Sequence, residues 1–264
     1  MKFRQLIAAS MAALMVISFT QKVNSQVLIS LLLGDKLNSE KLKFGIDGGV
    51  NFSTISNIDP SKYKPTFNLG FYFDFLLKKD MNWYAHTGVL VKSTMGAMGL
   101  DTYVLNDPSL DTLFQNGNIY RKLSYFNVPI LVRYKFKNEL FVEAGAMLGL
   151  LYKAYDIFYN EINEKQDLTY NYNVRDLYNR IDAGVEAGIG YNVIKGTGYN
   201  FGLRYYYGLN GLLKDNSGDP QRNSSFYLYA SLPVGAGEKA KAKAEAKKME
   251  KEEKKANKEA KKKK

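Results

Sequence analysis

Between Lys41 and Pro233 apolar and polar side chains alternate with a period of two, the pattern of β-strands that present one apolar face. Eight segments carry it. In the first, Leu42, Phe44, Ile46, Val50 and Phe52 share one face and Lys43, Asp47, Asn51 and Ser53 the other. The second sets Phe67, Leu69, Phe71, Phe73, Phe75 and Leu77 against Asn68, Gly70, Tyr72 and Asp74. The third, from Trp83 to about Ser93, sets Ala85, Val89 and Val91 against His86, Gly88 and Lys92. The fourth, roughly Lys122 to Phe136, sets Phe126, Val128, Ile130, Val132 and Tyr134 against Asn127, Pro129, Leu131 and Arg133. The fifth sets Val142, Ala144, Ala146, Leu148, Leu150 and Tyr152 against Glu143, Gly145, Gly149 and Lys153. The sixth sets Ile181, Ala183, Val185, Ala187, Ile189 and Tyr191 against Arg180, Asp182, Glu186 and Asn192. In the seventh, Phe201, Leu203, Tyr205, Tyr207 and Leu209 oppose Asn200, Gly202, Arg204 and Tyr206; in the eighth, Phe226, Leu228, Ala230 and Leu232 oppose Ser225, Tyr227, Tyr229 and Ser231.

The connections alternate in length. Residues 78–82, 137–139 and 194–198 are short; residues 57–65, 94–121, 156–176 and 210–223 are long. An even number of strands of about ten residues, joined by short turns at one end and longer loops at the other, is the signature of a bacterial transmembrane barrel. The expected fold is therefore all-β: an eight-stranded antiparallel up-and-down transmembrane β-barrel. A soluble eight-stranded barrel is the alternative, with its apolar face turned inward. Against it stand the charges and glycines on nearly every polar face. Aromatics also recur near strand ends: Phe44, Phe75, Trp83, Tyr134 and Tyr191 at the short-turn end, Phe67, Tyr152 and Phe226 toward the other. Membrane barrels carry such girdles at both interfaces, and lipid tolerates no open strand edge.

Charge changes the picture only at the ends. The chain of 264 residues has a formal net charge of +11, which by itself points to nucleic acid. Residues 1–25 hold +3 of it and residues 238–264, with 13 Lys and 6 Glu, another +7; residues 26–237 keep +1. A nearly neutral body offers no phosphate-tracking surface, so no nucleic-acid partner is expected. The absence of Cys and the single His86 exclude disulfide frameworks and Cys- or multi-His metal sites, and no cofactor is expected. Lys2 and Arg4 before the apolar stretch Leu6 to Phe19, with Val23 and Ser25 at the −3 and −1 positions, read as a signal peptide over 1–25. Residues 26–41, with the run Val27 to Leu33, are expected as a periplasmic segment, 42–233 as the barrel, and 234–264 as a Lys/Glu/Ala-rich tail. That tail has only Met249 as a sizeable apolar residue, so it reads as a solvated, partly helical or disordered segment.

Three runs carry a family resemblance. Phe44 to Ser53 (FGIDGGVNFS) resembles the opening strand of the PorT-like outer-membrane β-barrel family of Bacteroidota, Tyr125 to Tyr134 (YFNVPILVRY) its mid-domain strand, and Ala183 to Tyr191 (AGVEAGIGY) its glycine-rich late strand. The resemblance covers about residues 42–232 and implies an outer-membrane barrel of eight strands; it implies little about activity. One member type serves a secretion and gliding machinery. The end of the chain departs from the family pattern: the last strand runs into residues 233–237 and the lysine tail, so Phe226 to Leu232 is the expected signal for the barrel insertion machinery.

On this reading the lumen carries Asp47, Asp74, Glu143, Asp182 and Glu186 against Lys43, Lys92, Arg133, Lys153, Arg180 and Arg204, with His86 among them. An eight-stranded lumen is just wide enough for side chains, so its charges must pair. The site expected is a structural charge network of Asp47, Asp74, His86, Arg133, Glu143, Arg180, Asp182, Glu186 and Arg204. The catalytic alternatives are Asp182 with Glu186 as an acid–base pair, and His86 with Asp74 and a serine as a triad. Neither is preferred, and no enzyme is expected. Long outer loops with Tyr103, Phe114, Tyr155, Phe158, Tyr159, Tyr170 and Tyr172 suit a ligand or partner, or packing among themselves. The expected role is structural or interactive, in the outer membrane of a Gram-negative cell and in contact with its lipid. Both termini are expected to be periplasmic, the tail meeting peptidoglycan or an acidic periplasmic protein. An enzyme on lipid or protein, or a narrow pore, is the alternative.

Overall fold

A computed structural model describes residues 41–78, 82–163, 166–193, 199–215 and 218–234. The expected signal peptide and nearly all of the expected 26–41 segment and 234–264 tail lie outside these residues. Nine strands form: β1 (Leu42–Ser56), β2 (Lys64–Lys78), β3 (Trp83–Leu100), β4 (Asn118–Lys135), β5 (Leu140–Asn163), β6 (Gln166–Asn173), β7 (Ile181–Asn192), β8 (Asn200–Gly208) and β9 (Arg222–Pro233). They lie in the order β4-β3-β2-β1-β9-β8-β7-β5-β6, and a further β4–β5 ladder closes the ring. Eight strands make the barrel. The ninth, β6, pairs only with the outer part of β5, from Tyr155↔Asn173 to Asn163↔Gln166, while β7 pairs with the inner part from Leu140 to Leu150.

The polarity is inverted relative to a soluble barrel. On β7, Ile181 (61% exposed), Val185 (51%) and Ile189 (63%) face outward. Between them Asp182, Glu186 and Asn192 are buried. The other strands repeat this, with Val50, Phe67, Ile130 and Leu148 outside and Asn51, Asn68, Asn127 and Arg133 inside. Such an exterior is stable only against hydrocarbon. Aromatic contacts mark its two borders. Phe44–Phe73 (5.0 Å) and Trp83–Tyr134 (4.9 Å) lie at the short-turn end, Phe126–Tyr152 (4.6 Å) and Tyr205–Phe226 (4.7 Å) toward the other. Phe67 and Phe75, eight residues apart on β2, are about 26 Å apart along the strand, which at a tilt of about 40° is about 20 Å of an apolar band about 25 Å tall.

The long loops are largely strand. β3, β4 and β5 run beyond the membrane band, and β6 folds back beside β5. Between β3 and β4 stands the helix α1 (Pro108–Phe114), with Asp107 as N-cap: its Oδ1 accepts from the amides of Ser109 (3.0 Å) and Leu110 (3.3 Å). The β2–β3 ladder ends at Leu69↔Lys92, and β3 then bends across the mouth. Lumen side chains replace the lost ladder bonds at Thr94: Asn51 Nδ2 (2.9 Å) and Thr66 Oγ1 (2.7 Å) donate to its carbonyl, and its amide donates to Asn68 Oδ1 (3.3 Å). The bend carries Met95, Ala97 and Leu100 into an apolar core with Ile55, Phe114, Leu123, Phe158, Tyr206 and Leu212. This core roofs the mouth at the long-loop end.

Candidate functional site

The buried charges sit on the inward positions of the alternation, where each strand supplies one or two. Seven of the eight barrel strands meet in a single brace toward the short-turn end. Arg133 (β4) grips Glu143 (β5) through Nε and Nη2 to Oε2, at 2.9 and 2.8 Å, and gives Nη1 to Asp74 Oδ2 (β2) at 2.9 Å. Arg204 (β8) donates Nε to the other Glu143 oxygen at 2.6 Å and Nη1 to Asp47 Oδ2 (β1) at 3.3 Å. Tyr229 (β9) adds a donor to Glu143 Oε1 at 2.7 Å, and Ser231 one to Asp47 Oδ1 at 3.0 Å. The guanidinium faces lie on rings, Arg133 over Phe141 at 4.2 Å and Arg204 over Tyr229 at 3.9 Å. Glu143 thus has both oxygens spent on charge-assisted bonds, the condition under which buried ions are tolerated.

His86 (β3) is wedged into the brace. Its Nδ1 is 2.6 Å from Asp74 Oδ1, and Arg204 Nη2 points at its Nε2 from 2.9 Å. Arg204 has only protons to offer, so Nε2 is the acceptor and Nδ1–H donates to Asp74. Arg133 Nη2, 3.1 Å from the same Nδ1, is then in contact with it without a bond. A triad needs that Nε2 free to face a hydroxyl; here it is occupied. Asp182 and Glu186 share a face of β7 but lie four residues apart, about 13 Å, and do not form a pair. Asp182 accepts from Asn223 Nδ2 at 2.7 Å, whereas Glu186 Oε2 has no hydrogen-bond partner among the described residues.

The structure places Asp47, Asp74, His86, Arg133, Glu143, Asp182, Glu186 and Arg204 inside. Arg180 is a correction: it is exposed and precedes β7, outside the ladder that would turn it inward. Lys92 and Lys153 are corrections too. A register break between Leu90 and Ser93 leaves Val91 and Lys92 both outside, and another opposite Ser124/Tyr125 does the same for Tyr152 and Lys153. One inserted residue reverses the facing of everything beyond it. The deep lumen therefore holds five carboxylates against Arg133 and Arg204, with Lys43 only half-buried at the short-turn mouth. The near balance expected from the sequence is absent.

At the long-loop end the expected loop aromatics divide. Phe114 and Phe158 are buried in the roof with Tyr170 packed against them; Tyr103 (41%) and Tyr172 (39%) stay exposed. Tyr103 donates to Asp156 Oδ2 at 3.1 Å, and Arg121 holds the same carboxylate bidentately, 2.7 Å for each bond. Burial, then the Asp156 charge, holds the Tyr103 phenol well above its ordinary range. Beside Tyr103 a cavity of about 160 Å³ opens between residues 102–105 and α1, lined also by Phe114, Gln115 and Phe158. Neither α1 nor β6 was expected. The signal for β6 was present in Leu168, Tyr170 and Tyr172, a short period-two run among polar residues.

A family model described as "Outer membrane protein beta-barrel domain" matches residues 21–214. No curated protein sequence matches the chain. Among solved structures, similar ones include Ail, the attachment invasion locus protein of Yersinia pestis (16% identity, covering 73% of this chain and 98% of that one, TM-score 0.38). Others are Neisserial surface protein A (12%, 72% and 96%, TM-score 0.37) and OprG from Pseudomonas aeruginosa (13%, 73% and 91%, TM-score 0.29).

Proposed function

Since the chain belongs to the outer membrane protein beta-barrel domain family, we propose that it is a sealed outer-membrane barrel working through its outer face as a structural or interaction protein. It neither conducts solutes nor catalyses a reaction. The observation that carries this reading is the double closure of the lumen: the Arg133–Glu143–Arg204 brace at one level and the apolar roof around Met95, Phe158 and Leu212 above it. With Arg204 on Nε2 and Asp74 on Nδ1, the brace also leaves His86 no free nitrogen to act as a base. Purified protein in planar bilayers is expected to stay silent. Conductance steps in the nanosiemens range would overturn the sealed-barrel reading.

The surface left for recognition is the outer extension. The cavity between residues 102–105 and α1, with Tyr103 and Phe158 in its wall, suits one apolar or aromatic group of a ligand or partner. Within the family we read the chain as PorT-like, on the three strand motifs. The even number of barrel strands, with short connections at one end, supports both termini lying in the periplasm. There the lysine-rich tail, 234–264, is read as a tether to peptidoglycan or an acidic periplasmic protein. Retention on peptidoglycan at low salt should fall when the chain is cut after Gly237; equal retention would sink the tether.

A further inference from the structure

Where β3 bends inward, the outer end of β2 comes to face the outward side of the β3–β4 pair. Lysines collect in this notch. The stem of Lys62 lies over Gly99, where a Cβ would stand 3.2 Å from Lys62 Cδ, and Lys62 bridges Met98 through its backbone. The Lys64 ammonium lies 3.5 Å from the centre of the Tyr120 ring, buried and with no hydrogen-bond acceptor among the described residues. Lys122 stands two residues along the same face of β4 from Tyr120, about 7 Å away. It is exposed; burial first, and then the charge of Lys122, push the pKa of the Lys64 ammonium down to about 7. No carboxylate of a described residue is within ion-pair distance of the three. The acid of this sheet, Asp156, lies on the opposite face and is held by Arg121.

The charges of Lys122 and Lys64 repel without a counter-charge among the described residues, and the donors of Lys64 are unspent. The height of the notch says what meets it. Lys64 is three residues beyond Phe67, a lipid-facing ring of the outer aromatic border, hence about 10 Å along the tilted strand and about 8 Å above it. Tyr63 is exposed next to it (49%), and Lys92 reaches the Phe67 ring at 5.8 Å. This is the level of the headgroup phosphates of the outer leaflet.

We propose that Lys62, Lys64 and Lys122 form a binding site for a phosphate monoester of an outer-leaflet glycolipid, with Tyr120 as its floor. The acyl chains lie against Phe67 and the belt below. Charge-assisted bonds from several ammonium groups to one phosphate give this site its strength, and salt weakens it.

The test uses the full chain in nanodiscs of phosphorylated lipid A, in nanodiscs of the same lipid stripped of its phosphates, and in detergent with millimolar inorganic phosphate. Lipid phosphorus retained per protein and the unfolding midpoint are read for wild type, Lys64→Met and Lys122→Gln. The phosphorylated lipid alone is expected to raise the midpoint. Either substitution is expected to cut retained lipid phosphorus at least threefold, and 0.5 M salt to do the same to wild type. Equal retention by both variants overturns the site. Equal protection by inorganic phosphate overturns the lipid as its source. Lys122 is exposed, so its variant carries the test even if Lys64→Met fails to fold.

Discussion

Arg204 and Glu143 bond at 2.6 Å although a whole strand, β7, runs between theirs. The register explains how. Glu143 pairs with Gly188 on one side, and Gly188 pairs with Arg204 on the other. The missing side chain at Gly188 is the space through which the two reach each other: a Cβ there would stand 2.9 Å from Arg204 Cγ and 2.8 Å from the Leu203 carbonyl.

Gly188→Ala is therefore expected to push the Arg204 stem off Glu143 and lower stability by about 1–3 kcal/mol, as overpacking of a filled interior does. Urea unfolding in micelles, followed by heat-modifiable gel migration, measures it. Gly218→Ala, which meets nothing within 4 Å, is the control and should be neutral.

Glu143→Gln and Glu186→Gln should separate sharply, although both residues are buried lumen glutamates. The first leaves Arg133 and Arg204 without their shared counter-charge, a loss of about 3–5 kcal/mol. The second replaces a buried carboxyl whose Oε2 has no hydrogen-bond partner among the described residues, and is expected to be neutral or stabilising. A large loss in Glu186→Gln would show that this carboxylate has an essential counterpart.

Asn51→Ala removes the 2.9 Å bond to the Thr94 carbonyl, one of the three that hold the bend of β3. The expected cost is about 1 kcal/mol. Because the bend carries the roof, hydrogen exchange should rise in Thr94 to Leu100 while the membrane-band strands stay protected. Uniform acceleration would place the effect on the barrel as a whole.

Asp156→Asn leaves one neutral acceptor oxygen where Arg121 had a bidentate carboxylate and Tyr103 shared it, both above the membrane band. The outer sheet should loosen by about 3 kcal/mol, seen as faster proteolytic nicking between β4 and β6. The heat-modifiable shift of the barrel should be unchanged.

The period-two pattern made the eight barrel strands legible, because a strand with lipid outside and side chains inside must alternate. It also pointed to the interior charges Asp47, Asp74, His86, Arg133, Glu143, Asp182, Glu186 and Arg204. It misread Lys92 and Lys153 because a one-residue bulge leaves composition unchanged while reversing facing. It missed β6 because its alternation is between polar and half-polar residues, Asn and Tyr, which carry little contrast; it missed the roof because Met95, Ala97 and Leu100 are brought together with Phe114 and Leu212 only by the bend of β3.

Local sequence thus determined the fold class, the number of barrel strands and which end bears the long connections, all consequences of side-chain spacing along one strand. Only the tertiary structure decided which charges meet. Glu143 finds Arg204 across Gly188 because three strands adopt one register, and a register is a relation between distant segments. The same holds for the lysines of β2 and β4, brought into one notch by a bend in the strand between them.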